Sequence, residues 1–125
     1  MAYNRSDRLS GALKKKISEI IQTQIRDPRI GFVTITDVQV SKDLRHVKVF
    51  FSVIGSEKDK TSAIIGLQRA TPFIRHMIAQ EVELRFTPTI VFKFDETAEY
   101  AQHINELLEK IKKQESEKNE EKRDE

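Results

Sequence analysis

The chain has 125 residues, 38% hydrophobic and 34% charged, a size that closes one hydrophobic core and leaves little for a second. It contains no cysteine, which excludes disulfides, thiolate metal sites and a cysteine nucleophile. Met1 to Asp7 is polar where a secretion signal needs an apolar run, and no stretch is apolar over bilayer length, so a reducing cytoplasmic setting is expected. The net charge of +2 conceals a division: through Lys93 there are 16 Lys and Arg against 9 Asp and Glu, a balance of +7, and from Phe94 there are 6 against 11, a balance of −5; a basic front half hints at a polyanionic partner.

From about Ser6 to Arg26, Leu9, Ala12, Leu13, Ile17, Ile20, Ile21 and Ile25 recur three or four apart and line one face of a helix. Ser6 is its expected N-cap, and Asp27-Pro28 ends it because the residue before a proline is pushed out of helical geometry. Phe32 to Val40 is rich in β-branched residues. Val33 and Ile35 share one parity and Val38 and Val40 the other, so a bulge falls near Thr36 and Asp37. Ser41 to Asp43 makes a turn. Val47, Val49, Phe51 and Val53 then alternate with Lys48, Phe50 and Ser52, predicting an antiparallel hairpin whose second strand is central.

Gly55 to Lys60 is expected as a charged loop. Ala63, Ile64, Leu67 and Ala70 predict a short helix, and Phe73, Ile74, Met77 and Ile78 a second one, the two meeting at a sharp kink around Ala70, Thr71 and Pro72. A proline costs little at the first position of a helix, where Thr71 can cap it, and about 3 kcal/mol inside one. Ile90, Phe92 and Phe94 predict a third strand, on one parity with Leu84 and Phe86, with Pro88 kept out of the regular ladder. Thr97 is the expected cap of a last helix with Tyr100, Ala101, Ile104, Leu107, Leu108 and Ile111 inward. Residues 114–125 are almost wholly charged or polar and are expected as a disordered tail behind one domain of residues 1–113.

Consecutive strands are usually neighbours and parallel crossovers are right-handed, so the third strand should lie parallel to the second, with the helices on one face of a three-stranded sheet. This is an α+β architecture. Asp27-Pro28-Arg29-Ile30-Gly31, Val33-Thr34-Ile35-Thr36-Asp37-Val38, Ser41-Lys42-Asp43-Leu44, Ala70-Thr71-Pro72-Phe73-Ile74-Arg75, Leu84-Arg85, Pro88 and Phe92 to Asp95 together resemble the ribosome-binding factor A family. The resemblance spans roughly Arg5 to Ile111. It implies a type II KH-like domain of order αββααβ, with a kinked helix pair in place of the Gly-rich loop, plus a C-terminal helix. It also implies a bacterial factor that binds the rRNA of immature small ribosomal subunits (16S rRNA, 30S subunit), supports late rRNA processing and growth in the cold, and does not catalyse. Where the family's kink usually carries glycine this chain has Pro72, which fixes φ and excludes left-handed backbone.

On a helical wheel Arg8, Lys15 and Arg26 fall within roughly 20° of one another, opposite the apolar stripe. Lys14 and Lys16 flank this ridge, Arg5 and Arg29 extend it, and Glu19 is the one acid between Arg8 and Arg26. Arg69, Arg75 and His76 surround the expected kink, where a helix starting at Pro72, next to Ala70 and Thr71, would favour a phosphate. Lys42, Arg45, His46 and Lys48 open the second strand and could follow backbone phosphate along the sheet edge. Taken alone, the ridge on the first helix reads more readily as a solvated face, and the group around the kink reads equally as one. Arg85 and Lys93 read more simply as exposed strand positions, and the seven phenylalanines as mostly core, so phosphate and RNA shape should dominate recognition over flipped bases.

His46, His76 and His103 fall on three different predicted elements with no nucleophile pattern around them, and no Gly-rich phosphate loop is present. Glu99, His103 and Glu106 share a helical face that reads as a surface network. No catalytic residue, metal or cofactor is assigned. The expected partner is the small subunit and its rRNA, bound by a monomer, with an assembly GTPase as a further candidate. The alternative is a protein-interaction module that docks a partner through its sheet face or last helix; a small RNA-processing enzyme is a third reading.

Overall fold

A computed structural model describes the chain from Arg5 to Arg123. Met1 to Asn4 of the polar leader, Asp124 and Glu125 of the tail, and the side chains of Ala98, Glu99 and residues 120–123 lie outside the described residues. The elements are α1 (Arg5–Thr23), a 3-10 turn (Pro28–Ile30), β1 (Val33–Val40), β2 (His46–Val53), α2 (Glu57–Glu81), β3 (Thr89–Phe94) and α3 (Glu96–Arg123). Among the described residues no helix is long and apolar enough to cross a membrane.

α1 buries Leu13, Ile17, Ile20 and Ile21, the centre of the expected stripe. It begins at Arg5, so Ser6 lies inside it and accepts, through its carbonyl, a bond from the Ser10 hydroxyl. It ends at Thr23, earlier than Arg26. Asp27 stands extended before Pro28 and caps the 3-10 turn by accepting from the Arg29 N–H at 3.0 Å, so the chain leaves the helix ahead of the proline.

β2 is central, paired antiparallel with β1 and parallel with β3. The register shifts between Ile35 and Asp37, the bulge that the parity change predicts. Val47, Val49, Phe51 and Val53 face the helices; His46, Lys48, Phe50 and Ser52 face the other way, beside Thr89, Val91 and Lys93. Phe51 is fully buried, edge-on to Phe92 at 6.4 Å and tilted against Phe94 at 4.6 Å.

α2 corrects two expectations. It starts at Glu57, within the expected loop, because Ser56 and Asp59 form a reciprocal capping box. It also runs as one helix to Glu81 with Pro72 inside it, so the predicted pair of helices is a single element. Tertiary burial explains the continuity: Ala63 and Leu67 before Pro72, and Ile74 and Ile78 after it, are all 0% exposed on one stripe. Burial of Leu and Ile side chains is worth about 1.5–3 kcal/mol each, which together exceeds the roughly 3 kcal/mol cost of an interior proline. The Thr71 hydroxyl donates to the Leu67 carbonyl at 2.8 Å, one turn back, rather than capping a new helix.

α3 is a separate compact unit from residue 96 onward. It starts one residue before Thr97, and the stripe expected inward, Tyr100, Ile104, Leu107, Leu108 and Ile111, is 36% to 67% exposed. The tail expected to be disordered continues this helix through Arg123. Glu, Lys and Gln are good helix formers, and adding residues to an existing helix avoids the cost of nucleation.

Candidate nucleic-acid interface

The end of α1 and the middle of α2 enclose a groove of about 270 Å³ lined by Gln24, Ile25, Arg26, Asp27, Gly66, Arg69, Ala70 and Phe73. Local geometry builds each wall. Gly66, Arg69, Ala70 and Phe73 sit three or four apart and so share a face of α2, away from the buried Leu67, Ile74 and Ile78. A Cβ on Gly66 would come within 2.9 Å of Ile30 Cγ1 and 3.2 Å of Arg29 Cβ, so glycine is what lets the 3-10 turn dock on the helix. Opposite, Asp27 holds Arg29 through several bonds, the shortest 2.6 Å from Arg29 Nη2 to Asp27 Oδ2. The Arg29 side-chain bonds lower the Asp27 pKa from its ordinary 3.8 to about 2, with the Arg29 N–H and, more weakly, the charge of Arg69 acting in the same direction. Arg29 is thus neutralised at the rim, while Arg26 and Arg69 are exposed.

A second basic cluster lies where β2 and β3 begin. The turn before β2 is tightly built: Ser41 N–H donates to the His46 carbonyl, Asp43 accepts from the Ser41 hydroxyl and the Arg45 N–H, and Leu44 adopts a left-handed φ of 62°. Arg45 lies 4.9 Å from the centre of the Phe86 ring and Arg85 lies 5.5 Å from it. A guanidinium on an aromatic face is held in orientation while its N–H edge stays free for an anion. His46 Nδ1 is 2.9 Å from Thr89 Oγ1, which joins the two strand ends. Lys42 is exposed in the turn, and Lys48 is exposed on the open sheet face beyond it.

Several expected contacts have other work. Lys16 Nζ bonds Glu81 Oε2 at 2.6 Å, tying α1 to the end of α2. Arg75 Nε donates to the Pro88 carbonyl at 3.0 Å and holds the segment leading into β3. Because α2 is continuous, there is no helix N-terminus at Pro72 to attract a phosphate, and Thr71 spends its hydroxyl within the helix. Arg26 lies beyond the end of α1 and does not share the wheel of Arg8 and Lys15. Arg5, Arg8, Lys14 and Lys15 are exposed along α1, and His76 is exposed on α2. The structure therefore brings Arg26, Arg69 and Ala70 to one groove, and Arg45 together with Arg85 at the Phe86 ring.

The sequence reading missed Phe73 and Phe86, which are 41% and 52% exposed, and undervalued Arg85. Phe73 could have been found by its phase: it follows Arg69 by four and falls off the stripe of Ala63, Leu67, Ile74 and Ile78. Phe86 carried no such signal, since its parity matched Ile90 across a segment that is not a strand.

An α+β sheet-and-helix layer with cations gathered at a helical groove and at a strand end defines a small KH-like protein. Residues 5–108 match the family model for ribosome-binding factor A. The chain is 48% identical over 121 residues to ribosome-binding factor A of Halothermothrix orenii, across 97% of this chain and 99% of that protein. It is 47% identical over 111 residues to that of Natranaerobius thermophilus, across 89% and 85%. The crystal structure of ribosome-binding factor A from Thermus thermophilus matches with a TM-score of 0.64 at 28% identity, covering 71% of this chain and 93% of that one. A Thermus thermophilus homology model fitted into a cryo-electron microscopy map of a 30S complex matches with a TM-score of 0.58 at 29% identity, covering 68% and 89%. The chain belongs to the ribosome-binding factor A family.

Proposed function

We propose that this protein binds the small ribosomal subunit through rRNA on immature particles, as a bacterial cytoplasmic assembly factor without catalysis, supporting late rRNA processing and growth in the cold. The observation that carries the reading is the convergence of Arg26 from the segment after α1 and Arg69 from α2 on one groove. Two chain segments far apart in sequence thereby offer charge to the same polyanion. The family membership and the Thermus protein fitted into a 30S complex support the choice of partner. Arg5, Arg8, Lys14 and Lys15 along α1, and Lys42, Arg45, His46 and Lys48 near the strand ends, would add phosphate contacts.

The test is filter binding of the full chain to immature small subunits and to free small-subunit rRNA across a salt series. Affinity should fall linearly on a log–log plot, with a slope of about −0.9 for each duplex phosphate neutralised and about −0.7 on single strands. Weak binding that does not respond to salt would overturn the reading. A second reading, docking of a protein partner through α3, is favoured by the exposed stripe of Tyr100, Ile104, Leu107, Leu108 and Ile111. It expects that partner to stay attached after RNase treatment.

A further inference from the structure

We propose that the groove between the end of α1 and the middle of α2 holds one unpaired nucleotide, its base on the Phe73 ring and its phosphate between Arg26 and Arg69. The inference rests on the rRNA-binding reading and adds to it a preference for single strands. Phe73 is 41% exposed in a wall whose neighbours, Gly66 and Ala70, are too small to cover its face. Ile25 closes the far side with apolar surface, and Gln24 offers an amide that can both donate to and accept from a base edge. The groove is open to solvent along its length, so a base can enter it edge-on and lie against the ring while its backbone stays outside.

The charges suit a nucleotide as well. Asp27, the one acid lining the groove among the described residues, is occupied by Arg29, which leaves Arg26 and Arg69 as the net charge. Stacking on an aromatic ring is tolerant of base identity, so shape and pairing state would decide binding more than sequence.

The experiment measures fluorescence anisotropy of the full chain with a short single-stranded RNA and with a blunt-ended RNA duplex, alongside binding to immature subunits. Phe73→Leu keeps the apolar bulk and removes the ring face; an unchanged thermal midpoint confirms that it folds. Stacking is worth about 1–3 kcal/mol per base, or roughly 5- to 150-fold. Phe73→Leu should weaken single-strand binding within that range and leave duplex affinity and the salt slope unchanged. Arg69→Gln should weaken single-strand binding and make its salt slope shallower by about one. Unchanged single-strand affinity in Phe73→Leu, or an equal loss on both RNAs, would overturn the proposal while wild-type binding to subunits keeps the broader reading intact. Wild-type protein that fails to bind subunits would remove both.

Discussion

Lys15 and Lys16 are neighbours on α1 with different tasks. Lys15 projects into solvent, whereas Lys16 is held 2.6 Å from Glu81, and that bond is the main reason its pKa is raised above 10.5. A raised lysine pKa stabilises the fold below the ordinary value and loses that contribution as pH rises through the shifted one. Lys16→Gln should therefore lower the thermal midpoint at neutral pH and leave the salt slope of RNA binding unchanged. Lys15→Gln should leave the midpoint within about 1 °C and make the slope shallower by about one. Asp27 gives the opposite pH signature, because its pKa is lowered from 3.8 to about 2 chiefly by Arg29. Its contribution is full above 3.8 and disappears as pH falls through about 2. Asp27→Asn should be modestly less stable than wild type at pH 7, with the gap in midpoint closing over that acid window in a urea titration.

At the scale of elements, α2 decides most. Its periodicity on either side of Pro72 was legible in the sequence, and so was the local cost of proline. The deciding quantity was not legible, because it is the area that Ala63, Leu67, Ile74 and Ile78 bury against the sheet and α1. If α2 is one strained helix, Pro72→Ala restores a donor to the Gln68 carbonyl. It should then stabilise the protein by about 1–3 kcal/mol, read from urea midpoints. A proline at the start of a separate helix would instead make the change neutral or harmful. Gly66→Ala works the other way. Its Cβ would meet Ile30 Cγ1 at 2.9 Å, and overpacking of about 1–3 kcal/mol outweighs the roughly 1 kcal/mol gain in helix propensity. A net loss of up to about 2 kcal/mol is expected, with weaker single-strand RNA binding as the docked turn shifts.

At the scale of the whole molecule, the buried apolar residues among those described run from Leu13 to Phe92. Removing residues 114–125 should leave the thermal midpoint within about 1–2 °C, since residues 114–119 are exposed and polar. If the tail only adds acidic charge near the RNA, its loss should raise affinity slightly at low salt and have no effect at high salt. The two cation groups are separable by the same logic. Neutralising Arg45 and Arg85 together should make the salt slope shallower without changing the preference for single strands, which belongs to Phe73.

The strand order, the hairpin and the bulge near Thr36 could be read from the chain, because each depends on side-chain parity within a few residues, whereas the end of α1 at Thr23 and the continuity of α2 through Pro72 could not. The family likeness was equally local, carried by short runs in the right order. Which cations remain available was decided only by tertiary packing. Lys16 found Glu81, Arg75 found the Pro88 carbonyl, and Arg26 and Arg69 were brought to one groove. A charge acquires its role from the group that reaches it first, and those groups lie up to dozens of residues away along the chain.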